Sequence, residues 1–128
     1  MILLLDTSTP ICKLTMVDGD NRFDDQWEAA RTLAKGLLDY IETNLKKHDK
    51  TWRDISAIGV FEGPGSFTGL RIGLTVMNTI ADSQAIPIVG GRGDDWQESV
   101  LSRLENGEND QIVLPFYGSD AHITAPRK

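Results

Sequence analysis

The run Glu62-Gly63-Pro64-Gly65-Ser66-Phe67-Thr68-Gly69-Leu70-Arg71-Ile72-Gly73 constrains this chain more than any other stretch. A strand-like segment, Ile55 to Phe61, leads into it. An apolar run with helical period leads out, to about Ala81. Gly63, Pro64 and Gly65 predict a sharp turn, because glycine accepts positive φ and proline fixes its own. Ser66 is placed to cap the helix that follows, its hydroxyl meeting a free N–H of the first turn. Gly69 and Gly73 then share one helix face, and each costs about 1 kcal/mol relative to alanine. Two such costs on one face imply that something approaches that backbone closely. Three readings compete: a phosphate cradle at a helix N-terminus, helix packing against another subunit, or a tight strand-to-helix turn with no partner. The run is not a Walker loop, since no Gly-Lys-Ser/Thr follows the turn, and the dinucleotide Gly-x-Gly-x-x-Gly spacing is absent.

The 128 residues suffice for one domain with its own core. A net charge of −6 argues against independent grip on nucleic acid, which asks for a basic patch. The only candidates are the Lys46–Lys50 cluster and Arg127-Lys128. No apolar run nears the ~20 residues that span a bilayer, so no membrane association is expected. Met1 to Leu5 is too short for a signal peptide, and Asp6 follows at once. The single cysteine, Cys12, makes no internal disulfide, fits a reducing cytoplasm and reads as a small core residue. Two histidines and one cysteine make no metal cluster, and His48 reads as part of a solvated helix end.

Ile2 to Leu5 reads as a strand buried on both faces, ending at the polar turn Asp6-Thr7-Ser8-Thr9-Pro10. Ile11 to Val17 alternates, with Cys12, Leu14 and Met16 on one face. Asp18-Gly19-Asp20-Asn21 signals a hairpin. The third strand, about Arg22 to Trp27, has its alternation spoiled by Asp25, which predicts an edge or a bulge. From Glu28 to about His48 the period turns helical, with Ala30, Leu33, Ala34, Leu37, Leu38, Ile41 and Leu45 in one stripe and Gly36 and Tyr40 on its flank. Thr51 to Asp54 reads as a loop or short helical turn. Past the second helix, Ile86 to Val89 predicts a strand, Asp94 a cap, and a third helix runs to about Leu104. Ile112 to Leu114 predicts a last strand, and Pro115 to Lys128 an irregular tail docked on its own domain or on a partner.

Three strands joined by tight turns should be antiparallel, and the later ones, alternating with helices, parallel. A mixed five-stranded sheet with helices is the α/β half-domain of actin-like or ribonuclease-H-like proteins. It is expected over residues 1–105, with 106–128 a C-terminal loop, short strand and tail. In that architecture the loop after the first strand, here Asp6, Thr7 and Ser8, faces a nucleotide cleft. Leu70, Leu74, Met77 and Ala81 suffice to face the sheet, so Gly69, Ile72, Gly73, Val76 and Ile80 form a second apolar strip. Either the first helix or a protein partner covers it.

The motifs Leu4-Leu5-Asp6-Thr7-Ser8-Thr9 and Gly63 to Gly73, over roughly residues 1 to 90, resemble the TsaB (YeaZ-like) family of tRNA threonylcarbamoyladenosine biosynthesis. The resemblance implies an actin-like fold with no catalytic residues of its own. It implies a scaffold that binds TsaD, with TsaE in the same assembly, during formation of N6-threonylcarbamoyladenosine at position 37 of tRNA. Contact with tRNA would come only through the complex, and ATP or ADP would sit, where present, at the partner interface. The implied interface, with TsaD or with a second copy as a homodimer, comprises Gly65, Phe67, Thr68, Gly69, Arg71, Ile72, Gly73, Val76 and Ile80. Leu33, Gly36, Leu37 and Tyr40 join it from the first helix. The chain is expected to be a short form without the usual second subdomain, which leaves Asp6, Thr7 and Ser8 as a vestigial phosphate loop.

Two alternatives stand beside this reading. One is a small actin-like phosphotransferase in which Asp6 holds Mg²⁺ and Thr7 and Ser8 approach phosphate. The other is a homologue that only self-associates.

Overall fold

Leu3, Leu4 and Leu5 have no polar residue among them, so a strand through them must be covered on both faces. In the structure, a computed structural model that describes residues 1–117, they lie in β1 (Ile2–Asp6) and are at most 2% exposed. β2 (Ile11–Asp18) pairs with β1 antiparallel, and β3 (Asn21–Glu28) with β2. The hairpin turns at Gly19-Asp20, where Gly19 takes φ 62°. β4 (Ala57–Phe61) and β5 (Ile88–Gly91) add in parallel on the other side, giving the order β3-β2-β1-β4-β5. The mixed five-stranded sheet is thus the one the sequence predicts.

Strand alternation divides the core in two. Leu3, Leu5, Cys12, Leu14 and Met16 face α1 (Leu33–Lys47) and α2 (Phe67–Gln84). Leu4 and Val89 face α3 (Trp96–Glu105), meeting Trp96 and Val100. The Cys12 thiol is buried, and burial, with Asp6 and Asp25 nearby, pushes its pKa up to about 12. It is an inert core group, as the sequence predicts.

β3 is an edge strand, and its register runs unbroken from Ile11↔Glu28 to Asp18↔Asn21, so there is no bulge. Asp25 does not break the pairing because α1 receives it. Tyr40 donates its hydroxyl to Asp25 at 2.6 Å, and the buried Asn44 amide lies at 3.5 Å. Gly36 lets the Trp27 indole lie on the same helix: a Cβ there would sit 2.9 Å from the ring.

Other boundaries differ from expectation. α1 begins at Leu33, not Glu28, because Glu28 is still in β3 and the Ala29 and Ala30 N–H groups both bond Pro10 O at 3.0 Å. A 3₁₀ turn, Ala30–Thr32, links the two. Ala30, Ala34 and Leu38 of the expected core stripe are exposed, Ala30 in the 3₁₀ turn, since Leu33, Leu37, Ile41 and Leu45 already fill the inward face. α2 runs on to Gln84 and stops at Ala85 in left-handed conformation. The residue flanking α3 is Asp95 rather than Asp94, and its side chain makes no capping bond.

The predicted strand at Ile112–Leu114 is absent. The outer edge of β5 is taken instead by side chains. Asn109 Oδ1 accepts the Ile88 N–H at 3.1 Å, and Asp110 Oδ2 accepts the Gly90 N–H at 3.0 Å. The Asp110 N–H donates to Ile88 O at 2.8 Å, and Arg103 donates to Gly90 O at 2.8 Å. Arg103 also grips Asp110 through two nitrogens, at 3.1 and 2.5 Å. With these groups satisfied, a sixth strand has nothing to pair with. Residues 118–128 of the predicted tail lie outside the described residues.

The clamp predicts a pH dependence. Burial pushes the Asp110 carboxyl up, but the bonds from Arg103 and the Gly90 N–H and the Arg103 charge push it further down, to a net position below its ordinary value. A depressed carboxyl stabilises the fold above the unfolded range, near pH ~4, and loses that contribution as pH falls through the folded value. Asp110→Asn should therefore lower the denaturation midpoint at pH 7 and flatten the loss of stability on acidification. Urea titrations at several pH values check this, and superimposable curves for the two proteins would contradict it.

Candidate partner-binding face

The loop after β1 and the N-terminal turn of α2 lock onto each other. Thr7 and Ser8 are buried, at 3% and 8% exposure. The Thr7 hydroxyl donates to Gly69 O at 2.7 Å. The Ser8 N–H donates to Asp6 Oδ1 at 2.8 Å, and Ser8 O accepts the Ser66 N–H at 2.8 Å. Ser66 is the N-cap, accepting the Gly69 N–H on its hydroxyl at 3.1 Å, as its sequence position predicts.

This geometry gives the glycines a reason within the chain. A Cβ on Gly69 would run into Thr7 O, and one on Gly65 into the Ser8 backbone. A Cβ on Gly73 would meet the Thr7 side chain, with Cγ2 at 2.8 Å. The close approach is intramolecular, made by a loop some sixty residues earlier in the chain. Gly63, at φ 127°, serves the turn itself, and the Phe116 carbonyl fills the space of its missing side chain.

The same bonds bear on the vestigial phosphate loop. The Thr7 hydroxyl and the Ser8 and Ser66 N–H groups are spent within the chain. Among the described residues no group of three or more acidic, histidine or cysteine side chains is arranged to hold a metal ion.

The four first-helix candidates make contacts within the domain. Leu33 and Leu37 are core residues, 5% and 0% exposed. Gly36 lies under Trp27, and the Tyr40 ring packs tilted against Trp27, centres 5.0 Å apart, while its hydroxyl bonds Asp25. Burial and the Asp25 carboxylate raise the Tyr40 pKa, so it stays a neutral donor.

The remaining candidates form one outward face. Thr68 and Arg71 are exposed, and Ile72 and Val76 half-buried. With Ala34 and Thr75 they line a mostly apolar groove of about 340 Å³ between α1 and α2. A second groove continues along Ile80, Leu38 and Trp52. Phe67, 55% exposed, stands at the N-terminal rim with the Arg71 guanidinium 5.2 Å from its ring centre. Ala34, Leu38 and Thr75 were not among the sequence candidates for this face. For Ala34 and Leu38 the signal was a surplus: α1 carries more apolar residues than one buried stripe can use.

The fold and this face define an α/β half-domain of the actin-like type. The family described as TsaD, tRNA N6-adenosine threonylcarbamoyltransferase, matches residues 27–90, half of the chain. The chain belongs to this family and is TsaB/YeaZ-like. It is 33% identical over 88 residues to the tRNA threonylcarbamoyladenosine biosynthesis protein TsaB of Buchnera aphidicola subsp. Baizongia pistaciae, covering 69% of this chain and 40% of that protein. It is 46% identical over 82 residues to TsaB of Bacillus subtilis, covering 60% and 31%. The structure of YeaZ from Pseudomonas aeruginosa superposes with a TM-score of 0.69 at 25% identity, over 83% of this chain and 49% of that one. The chain therefore spans less than half the length of these relatives.

Gly73→Ala should cost about 1–3 kcal/mol of stability through overpacking. The cost should shrink in a Thr7→Ala background, because the two sites share one contact. Denaturant unfolding of the four proteins of this cycle checks it. A neutral Gly73→Ala would contradict the packing.

Proposed function

We propose that this chain is a non-catalytic subunit in the formation of N6-threonylcarbamoyladenosine on tRNA, acting by binding TsaD through the outer face of α1 and α2. The observation that carries the reading is the apolar groove left open beside a locked loop. Ile72 and Val76 are only half-buried by α1, and Ala34, Thr68 and Thr75 stay in water. A surface of this kind gains by being covered by another protein. TsaE would join the same assembly. Any nucleotide of the assembly would be held by the partner, since the Thr7, Ser8 and Ser66 donors here already have acceptors. That commitment also weighs against the phosphotransferase reading. Residues 1–117 contain no helix long and apolar enough to cross a membrane.

Ala34 and Thr75 are exposed, so charging them leaves the core alone. Ala34→Asp with Thr75→Asp should weaken association with TsaD at least tenfold, to about the loss a central interface position gives. Calorimetric titration checks the affinity and thermal unfolding checks the fold. Unchanged affinity would remove the face from the interface. A stable homodimer that TsaD does not displace would favour the self-associating reading.

A further inference from the structure

The edge strand β3 and the C-terminal half of α1 enclose a slot of about 570 Å³. Its floor is Leu14 and Met16 of β2, both buried. Asp25 lines it from β3, and Asn44 and Lys47 line it from α1. The Phe23 ring, stacked on His48 with centres 4.0 Å apart, forms one wall. The slot shares no lining residue with the groove between α1 and α2, so what it binds does not depend on the partner reading above.

Asn44 is 3% exposed, and buried polar atoms need partners. Its Nδ2 gives both hydrogens to acceptors, the Tyr40 carbonyl at 3.0 Å and Asp25 Oδ2 at 3.5 Å. Those two acceptors fix which way the amide faces, because the reverse would set oxygen against oxygen. Oδ1 is thus the atom Asn44 turns to the slot, and it accepts no hydrogen bond from the described residues. Asp25 repeats the pattern. Its Oδ2 accepts from Tyr40 and Asn44, whereas Oδ1 meets, among the described residues, Lys47 Nζ at 4.0 Å. That is beyond hydrogen-bonding range, and the Lys47 side chain is 58% exposed. Two oxygen acceptors, one on β3 and one on α1, therefore share a slot without a donor that reaches either.

The geometry points to this slot as a binding site for a small guanidinium-type cation, held by Asn44 Oδ1 and Asp25 Oδ1 and packed on Phe23. A guanidinium presents paired N–H donors in one plane, and two acceptors on facing elements suit that fork better than the single point of an ammonium. Its flat face packs on an aromatic ring, and Phe23 supplies one. The charges agree. Asp25 is the carboxylate on this face of β3, and Lys47, mostly in water already, leaves it when a better donor arrives. Arg22 and Asp24 at the rim are engaged on the opposite face of the sheet, Arg22 with Gln97 and Asp24 with Thr15.

The test is NMR titration of the intact chain with methylguanidinium chloride, with methylammonium chloride and sodium chloride alongside. The Asn44 side-chain amide and the Phe23 and His48 rings should shift saturably with methylguanidinium, more weakly with methylammonium and not with sodium chloride. Asp25→Asn keeps an acceptor for Tyr40 and should weaken binding about tenfold, the worth of one charged hydrogen bond. Lys47→Met removes the competing ammonium and should tighten it. Thermal unfolding shows whether each variant keeps the fold, and Lys47→Met, at an exposed position, decides the matter even where Asp25→Asn unfolds. Shifts that do not saturate, that sodium chloride reproduces or that a folded Asp25→Asn leaves in place would overturn the proposal. So would a Lys47→Met variant that binds no tighter than the parent. Equal affinity for methylammonium would overturn the choice of cation.

Discussion

The Thr7 hydroxyl reaches Gly69 O only because neither Gly69 nor Gly73 has a side chain to hold it off. That single approach sets where α2 lies on the sheet. Thr7 follows directly on β1, the central strand, so its contact fixes the N-terminal turn of α2 above the end of that strand. Leu70, Leu74, Met77 and Ala81 then fall inward by helical period, and Ile72, Val76 and Ile80 fall toward α1. The same contact consumes polar groups that an actin-like cleft would offer to a phosphate. Closing the loop and presenting the helix face are two consequences of one packing event.

The two ends of the sheet point the same way. At one edge β3 carries Arg22, Asp24, Gln26 and Glu28, and charged side chains discourage pairing with another strand. At the other, Asn109, Asp110 and Arg103 occupy the backbone groups of β5. Among the described residues, the large apolar side chains most open to water are Leu38 and Phe67 on the helices and Ile112 and Leu114 after α3. Association by strand addition is disfavoured at both ends, and association by helix packing is left. The chain carries a net charge of −6, and Arg71 lines the apolar groove between α1 and α2.

Three local signals in the sequence were read correctly. The apolar run of β1, the Gly19-Asp20 turn and the Ser66 cap each depend on neighbours in the chain, and each stands in the structure. Sequence also shows that Gly69 and Gly73 accommodate a close neighbour, but not which one. Thr7 is named by the fold, across a separation of 62 residues. The strand expected at Ile112–Leu114 fails for a related reason. Its apolar pattern is real, with Val113 in and its neighbours out, but the β5 edge is claimed by Asn109 and Asp110. The stripe of α1 was overdrawn at Ala34 and Leu38 because periodicity alone does not tell a core face from a second, exposed one. Asp25 looked like a defect in β3 because its partners, Tyr40 and Asn44, lie on another element.

The central claim is that the glycine motif closes inward while the helix face stays open. Methyl-resolved NMR of the labelled chain tests both halves at once. On addition of TsaD, the methyl signals of Ile72, Val76, Ile80 and Leu38 should shift or broaden, while those of Leu3, Leu5 and Thr7 stay in place. On addition of Mg-ATP alone, none should move. A Thr7 methyl that shifts with Mg-ATP while the α2 methyls ignore TsaD would contradict the account and return the loop after β1 to the role of a nucleotide site.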